Sequence, residues 1–291
     1  MKAIVFPGQA SQFQGMGKDL FENSEEARSF FAQADGIMGF ELSKIMFEGS
    51  EKELLETLVT QPSVFLFSYL KYILEAKDLT KAAVAGHSLG EFTALVAAEC
   101  LTFEEGLQLV KTRATAMQKA CEENPGTMSA VVGMPDEKVE GICNSIDEIV
   151  IAANFNCPGQ VVISGSLEGV AEAEKNLQEN GAKRVIRLAV GGAFHSPLMS
   201  SAENELKRAI EQIHFREPKC PVYQNVSARA ETDPQVIQEQ LVAQLTSPVR
   251  WTQIMQNMLD AEIDEFIECG GKVLSGFVKR VNRRIPTTPL I

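Results

Sequence analysis

The sequence predicts an α/β protein with a mostly parallel sheet and a small inserted subdomain, and three observations carry that prediction. Short apolar β-type segments alternate with helical patterns along the whole chain, with no repeat and no long unstructured tract. One of those segments, Ala82 to Ala85, breaks at Gly86 and resumes as a helix-favouring run from Leu89, which is a strand–turn–helix. Residues 127–190 follow the order β-α-β-β-α-β of a ferredoxin-like unit.

Composition bounds the function classes. With 291 residues, 45% hydrophobic and 23% charged, the chain has ample apolar content for one large domain with an insertion. A net charge of −12, from 27 basic and 39 acidic residues, argues against nucleic acid or an anionic membrane as partner. Cysteines 100, 121, 143, 157, 220 and 269 show no C-x-x-C spacing, which suggests reduced thiols and no zinc site. Strand-like sequence begins at Lys2, leaving no room for a signal peptide, and no apolar run approaches membrane-spanning length. A cytoplasmic protein, a monomer, is the expectation.

Taken in order, Ala3 to Phe6 reads as a strand ended by Pro7-Gly8 and followed by a loop rich in glycine and amides to Gly17. Such a loop often brings backbone N–H groups to the carboxyl end of a sheet, yet it lacks the G-x-x-x-x-G-K-[ST] pattern of a P-loop. Helical patterns run from Lys18 to Ala34 and from Glu51 to Leu58, and a third, apolar nearly all round, starts at Pro62. Thr102 and Glu105 form a capping box for a helix through about Glu122. On that helix Arg113 shares a face with Leu107, Val110, Ala114 and Met117. An arginine there either snorkels to solvent or is paired internally, or it faces inward and needs an anion.

Beyond Pro125-Gly126 come a strand at Thr127 to Met134 and a helix at Glu137 to Ser145. Strands at Glu148 to Asn154 and Gln160 to Ser164 follow, then a helix capped by Ser166, then a strand at Ala182 to Val190. Residues 124–190 are therefore expected to form the insertion, and 1–123 with 191–291 the larger unit. The larger unit resumes with a helix from Ser196-Pro197 to about Ile213 and a strand at Pro221 to Val226. Helices from Pro234 and Pro248, a strand at Ile263 to Glu268 and a last helix at Val273 to Arg284 complete it.

The chemistry centres on Gly86-His87-Ser88-Leu89-Gly90. A sharp turn of this kind strains the serine backbone and presents its Oγ near a helix N-terminus, where free N–H groups can hold an oxyanion. Serine needs a base. His87 adjoins Ser88 and cannot easily face it, and His214 ends a helix. His195, between a glycine-rich loop and a helix start, is the favoured base. The only aspartates between Ser88 and His195 are Asp136 and Asp147, both in the insertion. A Ser–His dyad, with the imidazole oriented by a backbone carbonyl, fits better than a triad.

These motifs together resemble the malonyl-CoA:acyl-carrier-protein transacylases of type II fatty-acid synthesis. The resemblance rests on FPGQ-x-SQ at 6–12, TQP at 60–62, GHSLGE at 86–91 and an arginine 25 residues after the serine. NFNCPGQVVISG at 154–165, GAFHSPLM at 192–199, QL-x-x-PVRW at 244–251 and GKVLSG at 271–276 extend it over the whole chain. It implies an α/β-hydrolase-like core with a ferredoxin-like subdomain, and an acyl transferase. Ser88 would carry a malonyl ester, with His195 as its base and the Gln9 and Leu89 amides as oxyanion hole. Arg113 would hold the free malonyl carboxylate, and the Gln244 carbonyl would orient His195. Leu89 and Phe194 would leave little room for an α-methyl branch, and Asn154 and Met117 would line the pocket.

No permanently bound cofactor is implied. Malonyl-CoA is the substrate and phosphopantetheine belongs to the acyl carrier protein. Two departures from the family pattern stand out: Ala10 replaces a usual glycine, and Cys269-Gly270-Gly271 is one residue short. A stand-alone acyltransferase serving a polyketide synthase shares these motifs, whereas a serine thioesterase or esterase would have no use for Arg113. Lys183 and Arg184, with Lys279 and Arg280 near the basic C-terminus, are candidate docking residues for an acidic carrier.

Overall fold

The computed structural model describes residues 1–291. Ten strands form two sheets: β1 (Lys2–Phe6), β2 (Ala83–Gly86), β3 (Gly126–Val132), β4 (Val150–Cys157), β5 (Gln160–Ser166), β6 (Arg184–Arg187), β7 (Val222–Tyr223), β8 (Ala230–Glu231), β9 (Glu265–Cys269) and β10 (Thr287–Leu290). The larger sheet runs β10-β9-β1-β2-β7-β8 and is parallel except at β8. The smaller runs β4-β5-β3-β6 and is antiparallel throughout, the strand order of a ferredoxin-like split β-α-β. An α/β core of the hydrolase kind with a ferredoxin-like subdomain is thus what the chain builds.

Helices cover both faces of the larger sheet, so its central strands are apolar on both sides. Alternate residues of β1 and β2 serve different cores, as a side-chain period of two requires. Ile4, Phe6 and Val84 pack against helices Thr57–Lys71, Gly90–Ala97 and Phe103–Glu123. Ala3, Val5, Ala83 and Ala85 face Trp251, Ile254 and Phe266 instead. A third core, with Val131, Phe155, Val161 and Leu177, lies beneath the small sheet. No helix is long and apolar enough to cross a membrane.

Several elements differ from the sequence reading. The expected helix over 18–34 is two, Lys18–Asn23 and Glu25–Met38, because the Ser24 side chain accepts from the Ala27 N–H and starts a new helix. The helix expected to open at Pro62 begins at Thr57 and carries the proline inside it. Val59, Thr60 and Gln61 in that earlier turn are themselves buried, so packing outweighs the lost hydrogen bond. Leu42–Glu48 forms an unforeseen helix, pinned by bonds from Ser43 to the Asp35 carboxylate. The strand expected at 221–226 is only two residues long, because Asn225 leaves the ladder to bind the serine turn. β6 is likewise shorter than 182–190, and its continuation, Leu188 to Gly191, runs along the cleft that also holds Ser88 and His195.

The small sheet is stitched to the larger unit where β4 ends. Phe155 N–H donates to the Val249 carbonyl at 2.9 Å, and Val249 N–H to that of Ala153 at 2.8 Å. Thr252 Oγ1 adds a bond of 3.0 Å to the Phe155 carbonyl.

The serine turn itself is possible only with glycine on both sides. A Cβ on Gly86 would lie 1.8 Å from the Gly90 carbonyl carbon, and one on Gly90 would lie 2.1 Å from the Phe6 carbonyl oxygen. Both obstacles are backbone and cannot rotate away. Gly90→Ala should therefore destabilise the protein by about 3 kcal/mol or more, read as a lower urea midpoint; a loss within error would refute this packing.

Candidate active site

Ser88 sits at the turn between β2 and helix Gly90–Ala97 with φ 53°, in the left-handed region that residues with a Cβ rarely adopt. Asn225 holds it there. The Asn225 Oδ1 accepts from the Ser88 N–H at 2.6 Å, while its Nδ2 donates to the Gly86 carbonyl at 2.7 Å. His195 is also left-handed, at φ 58°, and the following Ser196 locks the turn by donating to the Ala193 carbonyl at 2.7 Å.

These two strained residues meet. Ser88 Oγ lies 2.7 Å from His195 Nε2, and His195 Nδ1 lies 2.8 Å from the Gln244 carbonyl oxygen. The carbonyl can only accept, so Nδ1 carries the proton and Nε2 presents its lone pair to the serine. Burial and the neighbouring Arg113 charge push the imidazole down to about 3, against the upward pull of its carbonyl bonds. Nε2 is accordingly free to accept a proton at neutral pH.

Arg113 has no solvent exposure. It donates to Gln61 Oε1 at 2.7 Å, to Ser88 Oγ at 3.0 Å and to Gln244 Oε1 at 3.2 Å, all neutral oxygens. Burial lowers its pKa to about 10, opposed by the charge of Glu91. The guanidinium remains a cation, set beside the serine oxygen.

A cleft of about 260 Å³ opens above Ser88 and His195. Gln9, Asn154 and Phe194 line it, together with Met128 and Val162. Asn154 Oδ1 is buried there and makes no protein hydrogen bond. The amides of Gln9 and Leu89 also donate to no protein group, unlike those of Gly90 and Glu91, which close the first turn onto His87 and Ser88. Leu89 and Met117 are buried but lie outside the cleft lining, and Met117 instead receives a bond from Gln61 Nε2 at its sulfur, 3.4 Å away. Ala10 adopts φ 76°, a conformation that a glycine would take without strain. The short loop turns through Gly270 at φ 91°, where a Cβ would meet Ser68 Oγ at 2.2 Å.

Sequence reasoning missed four neighbours of the serine. Gln61 lay in the TQP motif just before the helix expected to open at Pro62, so its place inside that helix was not seen. Glu91, buried and bonded to Gln244 Nε2 at 2.8 Å and the Asn225 N–H at 3.1 Å, was hidden as an ordinary first-turn carboxylate. Asn225 lay inside an expected strand. Asn156 reaches across from β4 to His87 Nε2 at 2.9 Å. No group of three or more His, Cys, Asp and Glu side chains converges as a metal site.

A family model described as an acyl transferase domain matches residues 3–271. A malonyl CoA-acyl carrier protein transacylase of Staphylococcus aureus (strain COL) is 42% identical over 293 residues, spanning 99% of this chain and 94% of the relative. The chain belongs to this transacylase family. It is an acyltransferase. Another member, from Bacillus subtilis (strain 168), is 42% identical over 98% of this chain and 92% of its own length. The solved transacylase of Coxiella burnetii superposes with a TM-score of 0.95 at 35% identity, covering 99% of this chain and 93% of that one. A malonyl-transacylase solved in complex with a type II PKS acyl-carrier protein gives 0.94 at 35% identity, covering 99% and 95%.

With three histidines in the chain, ring NMR signals can be assigned one by one. His195 should keep its neutral ring shifts as pH falls from 8 to 5, because its proton affinity lies well below that window. A titration midpoint near the ordinary imidazole value of about 6.5 would contradict its buried position beside Arg113.

Proposed function

We propose that this acyltransferase moves the malonyl group from malonyl-CoA to the phosphopantetheine thiol of acyl carrier protein, through a malonyl ester on Ser88, for fatty-acid elongation. The observation that carries the reading is the buried Arg113, a cation 3.0 Å from Ser88 Oγ with only neutral hydrogen-bond partners. An acyl group bearing its own carboxylate can bond this guanidinium directly as an anion, and a simple acyl group cannot. The names of the relatives agree with that substrate.

In the first half-reaction Ser88 Oγ gives its proton to His195 Nε2 and attacks the thioester carbonyl. The carbonyl oxygen, now negative, takes hydrogen bonds from the Gln9 and Leu89 amides. Collapse breaks the C–S bond, and the CoA sulfur leaves with the proton from His195. In the second half the carrier thiol gives its proton to Nε2 and attacks the ester carbonyl. The Ser88 oxygen recovers the proton as it leaves. Throughout, the Gln244 carbonyl holds Nδ1–H, so the imidazole needs no carboxylate to fix its tautomer. Phe194 and Asn154 line the acyl cleft, whereas Leu89 and Met117 are buried outside its lining.

The docking surface follows from where the free cations stand. Lys279 and Arg280 end helix Val273–Val281, whose first turn lines the cleft. Lys183 and Arg184 lie at β6, whose continuation lines it from the other side. All four are exposed and none is in an ion pair. Arg187, by contrast, is tied to Glu174 by bonds of 2.7 and 2.6 Å and is not free to dock a partner. An acidic carrier would meet these cations on either side of the mouth. Residues 124–190 would form the small subdomain, and 1–123 with 191–291 the larger one.

Mixing the protein with malonyl-CoA should add one malonyl group by intact mass, at Ser88, and Ser88→Ala should abolish the adduct. If wild type forms neither adduct nor malonyl-carrier, the proposed function is wrong. Reversing charge at Lys279 and Arg280 should raise KM for the carrier by about tenfold with that for malonyl-CoA unchanged. Equal effects on both substrates would remove the docking surface from the reading.

A further inference from the structure

Helix Gly90–Ala97 buries a carboxylate beneath the serine turn that the mechanism above does not use. Glu91 has no solvent exposure. One of its oxygens, Oε2, accepts from Gln244 Nε2 at 2.8 Å and from the Asn225 N–H at 3.1 Å, and the other has no partner. Gln244 is used twice more. Its Nε2 donates to the Ser88 carbonyl at 3.0 Å, and its Oε1 accepts from Arg113 at 3.2 Å. A chain of side chains therefore runs from guanidinium to amide to carboxylate, with the amide dipole aligned between the two charges.

We propose that Glu91 is the counter-charge of Arg113, held one amide away by Gln244 so that it neutralises the buried cation without occupying the hydrogen-bonding edge that an acyl carboxylate needs. A carboxylate bonded directly to Arg113 would compete with the incoming anion. No carboxylate at all would leave a charge in the core with neutral partners only, a costly arrangement. The spacer satisfies both demands. It also makes Glu91 a positioning residue, because its Oε2 fixes Asn225 on the Ser88 N–H and fixes Gln244, whose carbonyl orients His195. Burial raises the carboxyl to about 7, against its bonds to Gln244 and Asn225 and the Arg113 charge, so its ionised form is best studied above that pH.

This inference rests on the proposed binding of an acyl carboxylate by Arg113, and it predicts a direction that a purely structural role does not. Glu91→Gln keeps the shape and an acceptor for Gln244 and removes the charge. At pH 8 the empty variant should melt below wild type, and loading with malonyl should narrow that gap, because the acyl carboxylate replaces the lost charge. Its acylation rate ratio for malonyl-CoA over acetyl-CoA should rise by about three- to tenfold, since Arg113 then attracts an anion unopposed. An unchanged ratio, or a melting deficit equal in empty and malonyl-loaded protein, overturns the proposal. Absence of a malonyl adduct on wild type would instead overturn the proposed function. Should Glu91→Gln fail to fold, the double variant Glu91→Gln, Arg113→Gln decides. Recovery of folding when both charges are gone supports the pairing, and failure of both variants overturns it.

Discussion

A guanidinium with no exposure, placed against the oxygen of a reactive serine, is the constraint around which this structure is arranged. Burying a charge is costly unless its protons are bonded and its field is balanced. Three elements distant in sequence are drawn together to meet that demand. Gln61 comes from a helix that carries a proline in its interior, Gln244 from the end of helix Pro234–Ala243, and Ser88 from the turn after β2. Each accepts from Arg113, and each is thereby fixed for a second purpose. Gln61 donates to the Met117 sulfur, Gln244 holds His195 through its carbonyl, and Ser88 is kept within reach of the imidazole. Holding the charge and building the site are the same packing problem.

The backbone records what this arrangement costs. Ser88, His195 and Ala10 all have positive φ, and all three stand in or beside the cleft. Non-glycine residues hold such conformations only when their surroundings over-determine them. At Ser88 the surroundings are Asn225 on one side and glycines 86 and 90 on the other. At His195 the Ser196 hydroxyl closes the turn. Ala10 has a lighter restraint, its N–H bonded to Gln12 Oε1 at 2.9 Å, which suits an exposed residue at the mouth.

How much of this the sequence revealed depends on the range of the forces involved. The elbow was legible because its signal is local: a strand, two glycines that backbone contact demands, and a helix start. The capping box of Thr102 and Glu105 was legible for the same reason, and both of its bonds are present. Helical period placed Arg113 on a face with Leu107, Val110, Ala114 and Met117 but could not decide between snorkelling and facing inward, since its partners lie 52 and 131 residues away. Glu91 shows the limit most clearly. Three residues after the serine and in a first helical turn, it reads as an exposed residue favoured by the helix dipole. Only the crossing of Asn225 and Gln244 over it turns it into a buried anion. The π-helical turn at Tyr72–Ala76 and the helix at 42–48 escaped similarly, because tertiary packing rather than local pattern fixes them.

The same electrostatics bear on how the base is made to work. Burial and the Arg113 charge both depress His195, leaving it neutral but reluctant to take a proton. On the proposed reading, an acyl carboxylate that pairs with Arg113 also cancels part of the field acting on the imidazole. The acyl group that fits the arginine is then the one that restores basicity where the serine needs it, and an uncharged acyl group leaves His195 as it was. Discrimination would fall on the chemical step as well as on binding, because binding energy from the remote carboxylate is expressed at the reacting oxygen.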